Sequence, residues 1–324
     1  AVPVGCSFRR QMLFDHLHPS YAGDVGIGIN PALAREVKEA DLLILLGGRF
    51  SEMPSSSYTL IDIPYPAQKL VHIHSDPSEL GRVYRADLAI CAAPEEFVSA
   101  LATLEAPASP PWSERTEAMH AAYLTWSTPP KSSPGPVQMG EIMEWIEANT
   151  PKDAVFTNGA GNYATWLHRF HRFQAFNTQA APTSGSMGYG LPAAVAAKQL
   201  FPEREVICFA GDGCFMMHGQ EFATAMRYDL PIITLVINNG IYGTIRMHQE
   251  REYPGRVSGT GLTNPDFAEL ARAYGGHGEK VTKTEDFAAA FERARKSGKP
   301  AIIEIIQNPE AITPSRTLTE IRGQ

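Results

Sequence analysis

The 324 residues predict an α/β fold with two parallel-sheet domains, the first Rossmann-like. Three observations carry this expectation. Short continuous apolar runs read as strands covered on both faces. Helix-like segments separate these runs, as in α/β layer structures. A proline-punctuated stretch in the middle divides one such alternation from a second.

The first alternation occupies residues 1–105. Asn30 suits a helix N-cap and Pro31 the first helical position, so a helix is expected from Pro31 to Ala40. Asp41 to Leu46, apolar throughout after Asp41 and ending in Gly47-Gly48, predicts a strand buried on both faces. Lys69 to His74 reads as the next strand, and Asp76-Pro77 opens a turn or short helix. Residues 106–136 carry seven prolines, from Pro107 to Pro136, and read as a linker with a helical stretch from Glu114 to Trp126. The second alternation spans residues 137–310. Met139 to Asn149 is a helix, and Ala154 to Thr157 is a strand leading into the turn Asn158-Gly159-Ala160-Gly161. Glu205 to Ala210 is a buried strand running into Gly211-Asp212-Gly213, with a helix starting near His218 to Glu221. Leu230 to Ile237 runs into Asn238-Asn239-Gly240, and Ala301 to Ile306 is the last strand. Residues 311–324 read as a tail.

Composition narrows the function classes. Hydrophobic residues at 44% and charged residues at 19% describe a globular chain. The net charge of -7, with no Lys/Arg-rich run, argues against a nucleic-acid partner. No apolar run reaches the roughly 18 residues of a membrane span. The start, Ala1-Val2-Pro3-Val4, lacks the basic and apolar regions of a signal peptide. Cys6, Cys91, Cys208 and Cys214 form no CxxC pair, which argues against zinc and suits a reducing cytoplasm. The chain opens without Met and directly in strand-like sequence, so it is expected to be a piece of a longer protein.

The chemistry lies in two strand-end turns. One supplies Asp212 and the other Asn239. In a parallel sheet the strand C-termini share one edge, where ligands collect. The two residues can converge there although 26 positions lie between them. A carboxylate and an amide oxygen are hard ligands suited to Mg²⁺, whose shell is completed by water and substrate phosphates. Gly211 and Gly213 let backbone approach a ligand closely.

Gly211-Asp212-Gly213, then 24 residues, then Asn238-Asn239 resembles the GDG…NN motif of thiamine-diphosphate (ThDP) enzymes. Thr183-Ser184-Gly185-Ser186-Met187-Gly188-Tyr189-Gly190-Leu191-Pro192 resembles the segment preceding that motif in acetolactate synthases. The resemblance covers essentially the whole chain. Residues 1–105 are similar to that family's central domain, and 137–310 to its diphosphate-binding domain. It implies that Asp212 and Asn239 bind Mg²⁺ through side chains, and Ile241 through its carbonyl. It implies backbone contacts from Gly213 and Cys214 to the diphosphate, with the Cys214 thiol incidental. Gly159, Asn162 and Tyr163 would line the other side of the diphosphate. Met187 would hold the two cofactor rings in a V, and the Gly185 carbonyl would accept a hydrogen bond from the aminopyrimidine. A 2-keto acid would be decarboxylated and its acyl unit passed to a second carbonyl, with the cofactor doing the organic chemistry.

In this family a Glu on a separate N-terminal pyrimidine-binding domain activates the cofactor, and sites form between subunits. The sequence starts inside the central domain, so the expectations are that no residue inherits that Glu and that the chain alone is nearly silent. They extend to a homodimer or tetramer when intact, and to apolar surface exposed on the first domain. His248 stands where acetolactate synthases usually carry a Trp, which puts the acetolactate product in doubt. A benzoylformate-type decarboxylase or a glyoxylate carboligase is the alternative within the class. Gly47-Gly48-Arg49-Phe50 resembles a segment near the FAD of some members, although Arg49 better suits a carboxylate partner. The charged run Arg246 to Arg256 reads as a solvated lid. His218, His248 and His277 read as structural or solvated.

Two rivals stand outside this class. Gly159-Ala160-Gly161-Asn162-Tyr163-Ala164 satisfies a G-x-G-x-x-A dinucleotide fingerprint, but Phe176 to Gln179 lacks the acidic residue that pattern requires. A non-catalytic module that keeps the ThDP fold is the other.

Overall fold

The computed structural model describes residues 2–323 and divides into two compact units, Ala1–Trp126 and Ser127–Gln324. In the first, β1 (Val4–Ser7) pairs in parallel with β2 (Tyr21–Val25). Helix α1 (Pro31–Glu39) follows, with the Asn30 side chain accepting from the Ala32 amide at 3.0 Å as its N-cap. Strands β3 (Leu42–Leu46), β4 (Lys69–His74) and β5 (Leu88–Cys91) form a parallel sheet in that order. Helices α2 (Pro94–Leu101) and α3 (Ser113–Trp126) complete the unit.

Two expectations for this region need correction. Strand β3 is not buried on both faces: Leu43 and Leu45 pack into the core with Leu70 and Tyr84, whereas Leu42, Ile44 and Leu46 are exposed. Strand periodicity of two sends alternate residues to opposite faces, and a continuous apolar run cannot reveal that one face is open. The stretch 106–136 is not simply a linker either. Helix α3 packs on β2 and α1, and its Tyr123 is buried against Cys6 and Tyr21, so it belongs to the first unit.

The second unit begins with α4 (Met139–Asn149) and is built on a six-stranded, wholly parallel sheet. Its elements are β6 (Val155–Asn158), α5 (Ala164–Phe170), β7 (Gln179–Ala180), α6 (Gly190–Leu200) and β8 (Val206–Gly211). Then come α7 (Asp212–His218), α8 (Phe222–Arg227), β9 (Ile233–Asn238) and α9 (Gly243–Glu252). The chain continues through α10 (Phe267–Ala273), β10 (His277–Val281), α11 (Phe287–Ser297), β11 (Ala301–Ile306) and α12 (Leu318–Arg322). The strand order is β10-β11-β9-β8-β6-β7. All six residues of β8 are buried, as are the first five of β9, which accounts for their unbroken apolar sequence. Helices α6, α8 and α10 pack onto this sheet through Leu191, Ala194, Phe222, Phe267 and Ala271.

Sheet order places the site. From β6 the chain goes outward to β7, then returns to β8 on the other flank and onward to β9. The order reverses between β6 and β8, and such a switch point opens a crevice at the strand C-termini. The exits of β6 and β8, Asn158-Gly159 and Gly211-Asp212, flank it. Two further expectations need completing. A helical segment does begin at Gly219 and continues as α8, as expected, but α7 precedes it, starting at Asp212 itself, and His218 lies in the last turn of α7. Residues 311–324 are not a loose tail: α12 has a capping box between Thr317 and Glu320, and Ile312, Leu318 and Ile321 are buried against Ile241 and Met247.

Candidate functional site

Strands β8 and β9 are neighbours, with Gly211 opposite Ile237, so their C-terminal turns emerge side by side. A hydrogen bond joins the turns directly: the Gly240 amide donates to Asp212 Oδ2 at 2.8 Å. Asp212 Oδ1 accepts from the Gly213 amide at 2.8 Å. Asn264 adds a third bond, its Nδ2 lying 2.8 Å from Asp212 Oδ2 and 2.9 Å from Asn238 Oδ1. Asn238 in turn donates to buried Glu304 at 2.7 Å. The Asn239 side-chain oxygen accepts from the Ile241 amide at 3.2 Å, and Ile241 is bridged to Gly261. The segment 260–264 therefore braces the second turn against the first.

Asp212 is 3 % exposed, yet every hydrogen-bond partner it has is neutral. Burial pushes its pKa above the ordinary carboxylate range, and bonds from Gly213, Asn264 and Gly240 only partly offset this. Buried carboxylates are normally paired with a cation or bound to a metal. No Lys, Arg or His among the described residues supplies that positive charge. An oxygen set of one carboxylate, the Asn239 amide and the Ile241 carbonyl fits a hard divalent cation that keeps water and phosphate ligands.

The turns open on a cleft of about 260 Å³. Its lining includes Asp212, Asn239 and Ile241 together with Gly211, Gly213 and Cys214. Gly185 and Met187 line it from the segment before α6, and Asn162 and Tyr163 from the turn before α5. The structure thus brings all but one of the sequence-predicted residues to one cleft. The exception is Gly159, which stands behind the wall and donates its amide to the Tyr163 hydroxyl at 3.1 Å.

Several side chains do work that the sequence did not suggest. Asn162 accepts from the Thr244 hydroxyl at 2.8 Å and donates to the Ile312 carbonyl at 3.1 Å, so its amide ties α9 and the C-terminal segment to the cleft wall. The Cys214 thiol is not incidental: it accepts from the Tyr163 hydroxyl and from the Gly188 amide, each at 3.1 Å. Asn264 had no sequence signal beyond its place in the turn-rich run Thr263-Asn264-Pro265-Asp266. Cys208 is a fully buried thiol, its pKa pushed up to about 12 by burial.

The expected solvated lid is mostly helix α9, and one of its charges is deeply buried. Glu250 is 1 % exposed and accepts from Arg246, from Arg322 of α12 and from the Gly255 amide. His218 and His248 are exposed, and His248 contacts Arg251. His277 is the first residue of β10, and it bonds Glu279 at 2.9 Å. Arg49 pairs with Glu79 at 3.4 Å. Among the described residues no helix is long and apolar enough to cross a membrane.

Comparison with known proteins accords with this geometry. Residues 1–101 match the thiamine pyrophosphate enzyme central domain, and residues 159–305 match the thiamine pyrophosphate enzyme C-terminal TPP binding domain. The acetolactate synthase large subunit of Parasynechococcus marenigrum is 30% identical over 312 residues, covering 94% of this chain and 49% of that protein. The acetolactate synthase isozyme 2 large subunit of Escherichia coli is 29% identical over 313 residues, covering 94% of this chain and 54% of that protein. The acetolactate synthase of Mycobacterium leprae is 30% identical over 324 residues, covering 96% and 51%. The chain spans about half the length of the curated relatives it matches. Two successive domains of one family thus account for both units and for the cleft at the β6–β8 switch point, and the chain belongs to the thiamine pyrophosphate enzyme family.

Proposed function

We propose that this chain is the cofactor-holding part of a ThDP- and Mg²⁺-dependent 2-keto acid carboligase or decarboxylase of the acetolactate-synthase type. The observation that carries the reading is Asp212, a buried carboxylate without a cationic partner, hydrogen-bonded to the very turn that presents Asn239 and Ile241. Asp212, Asn239 and the Ile241 carbonyl would hold the cation, and backbone at Gly213 and Cys214 would face the diphosphate. Met187 and Gly185 would meet the ring end from the opposite wall. When bound, ThDP supplies a thiazolium ring that accepts the electrons released as CO₂ leaves a 2-keto acid such as pyruvate. The chain's own contributions are binding, orientation and exclusion of water by Ile241, Ile312 and Met247, which pack together over the C-terminal segment.

In the same reading the complete protein is a homo-oligomer whose site is finished by a neighbouring pyrimidine-binding domain. The exposed apolar side chains of Tyr189, Met216, Met217 and Ile245, on elements bordering the cleft, support a covering surface there. Four free cysteines accord with a reducing cytoplasm. Arg49, the side chain suggested for FAD, is exposed and paired with Glu79, and the ThDP reading stands with or without a flavin.

Isothermal titration of the chain with ThDP in the presence of Mg²⁺ tests the reading. Saturable one-to-one binding that disappears with EDTA is expected. Absence of binding in Mg²⁺, or binding indifferent to EDTA, overturns it. For the complete protein, the products formed from pyruvate alone distinguish acetolactate synthesis from simple decarboxylation.

A further inference from the structure

The Met187 turn raises a physical question. Thr183 and Ser184 are exposed, and the bonds within the turn are local: Gly185 donates to the Pro182 carbonyl at 3.1 Å, and the Ser184 and Ser186 hydroxyls lie 3.1 Å apart. A turn of this kind has little to fix the side chain at its tip. Immediately after Met187, however, the chain dives into the interior. The Gly188 amide donates to the thiol of Cys214, in the first turn of α7, at 3.1 Å in a buried bond.

The surroundings of that thiol are built to hold it. The Tyr163 hydroxyl donates to it at 3.1 Å and itself accepts from the Gly159 amide at 3.1 Å. The result is a continuous relay from Gly159 through the phenol to the sulfur, met from the other side by Gly188. Three segments that border the cleft meet at one atom: the turn before α5 through Tyr163, the Met187 turn through Gly188, and α7. Glycine is required at two of its corners. A Cβ at Gly159 would run into the Cys214 sulfur. Gly188 has a φ of +80° and approaches α7 so closely that a Cβ would strike His218 and Met217. Tyr163 is 8 % exposed and burial raises its phenol pKa well above 10, so it acts as a neutral donor.

We propose that Cys214 is a positioning residue: its thiol, aligned by Tyr163, fixes the Gly188 amide and thereby holds Met187 against the ring end of the cofactor cleft. This rests on the ThDP reading above and assigns a side-chain task to a position otherwise credited with backbone contacts alone. Sulfur suits it because a long C–S bond and a soft acceptor can serve two donors from different loops. Loss of the acceptor leaves a buried Gly188 N–H without a partner, which frees the turn or costs the difference.

The test separates the ring end from the phosphate end. Dissociation constants are measured by titration of the full chain in Mg²⁺ with two probes, ThDP and inorganic pyrophosphate; the second reaches the metal turns but has no rings. Cys214→Ala should weaken ThDP about tenfold and leave pyrophosphate within about twofold. Cys214→Ser, which keeps an acceptor, should restore ThDP binding to within about threefold of wild type. Tyr163→Phe keeps the ring and removes the aligning hydroxyl; because Tyr163 also lines the cleft, it should weaken both probes, ThDP severalfold more than pyrophosphate, and it carries the test should Cys214→Ala not fold. Equal weakening of both probes, or no weakening of ThDP, overturns the positioning role. A wild-type chain that binds pyrophosphate and Mg²⁺ but not ThDP overturns it too. A wild-type chain that binds neither probe defeats the ThDP reading itself, a result distinguishable from the others.

Discussion

Replacing Asp212 with Asn separates what the carboxylate does for the fold from what it does for a ligand. In the metal-free chain two effects oppose each other. Burial raises the folded pKa of Asp212, so its charge is less favourable in the fold than in the unfolded chain. A neutral amide removes that penalty. The amide nitrogen cannot accept, however, and the least costly orientation places it where Oδ1 now takes the Gly213 amide. Oδ2 then keeps its bonds from Gly240 and Asn264. One lost hydrogen bond costs about 1 kcal/mol, so metal-free Asp212→Asn should lie within about 1–2 kcal/mol of wild type. Ligand binding tells the two apart. Mg²⁺ with ThDP at one hundred times its dissociation constant stabilises by about 2.7 kcal/mol, which raises the melting temperature of a unit this size by about 5–10 °C. Differential scanning calorimetry with and without Mg²⁺ and ThDP should show that rise for wild type and none for Asp212→Asn. An equal rise in the variant would refute the placement of the metal at this carboxylate.

Other expectations follow from the same contacts. Asn264→Ala removes a donor shared by Asp212 and Asn238, and should weaken Mg²⁺-dependent ThDP binding by about fivefold to twentyfold while Asp212 stays in place; unchanged affinity in a titration would show that Asn264 does not align the carboxylate. Arg322, the Gly255 amide and Arg246 lower the pKa of Glu250 to about 2. A lowered folded pKa gives stability that is present above the unfolded value near 4.5 and lost as pH falls toward 2. The wild-type melting temperature should therefore fall more steeply than that of Glu250→Gln on acidification across this window, and parallel curves would exclude the ion cluster as the α9–α12 clamp. Asp24 shows the opposite sign: burial raises its pKa to about 7, with the Gln11 amide as a weak offset at 3.3 Å. Stability from that group is complete below its unfolded value and is lost as pH rises through about 7. Asp24→Asn should raise the melting temperature near pH 8 by a few degrees and leave it little changed near pH 4; a variant less stable than wild type at pH 8 would count against a buried charge.

The alternation of apolar runs and helical segments, the glycine-flanked Asp212 and the paired asparagines are all written locally. A strand buried in a parallel sheet needs an unbroken apolar sequence, and a turn that admits a ligand needs glycine, so β8, β9 and their exits could be read from single windows of the chain. From them came the α/β class, the convergence of Asp212 and Asn239, and the family resemblance, which added Ile241. Local windows failed where the partner was distant. Leu42 to Leu46 looks the same whether one face of the strand is covered or both. The tail helix at Leu318–Arg322 is short and polar in sequence, and is held by a carboxylate 72 residues earlier.

Sequence alone determined the long apolar strands β4, β8, β9 and β11, and which turns carry the candidate oxygen ligands, because those properties depend on neighbours a few residues apart. Tertiary structure decided which side chains brace the site. Asn264 reaches Asp212 across 52 residues, Tyr163 reaches Cys214 across 51, and Asn162 reaches Ile312 across 150. Hydrogen bonds of that kind require the strand order β9-β8-β6 to bring the turns together first, and no periodicity in the chain encodes that order.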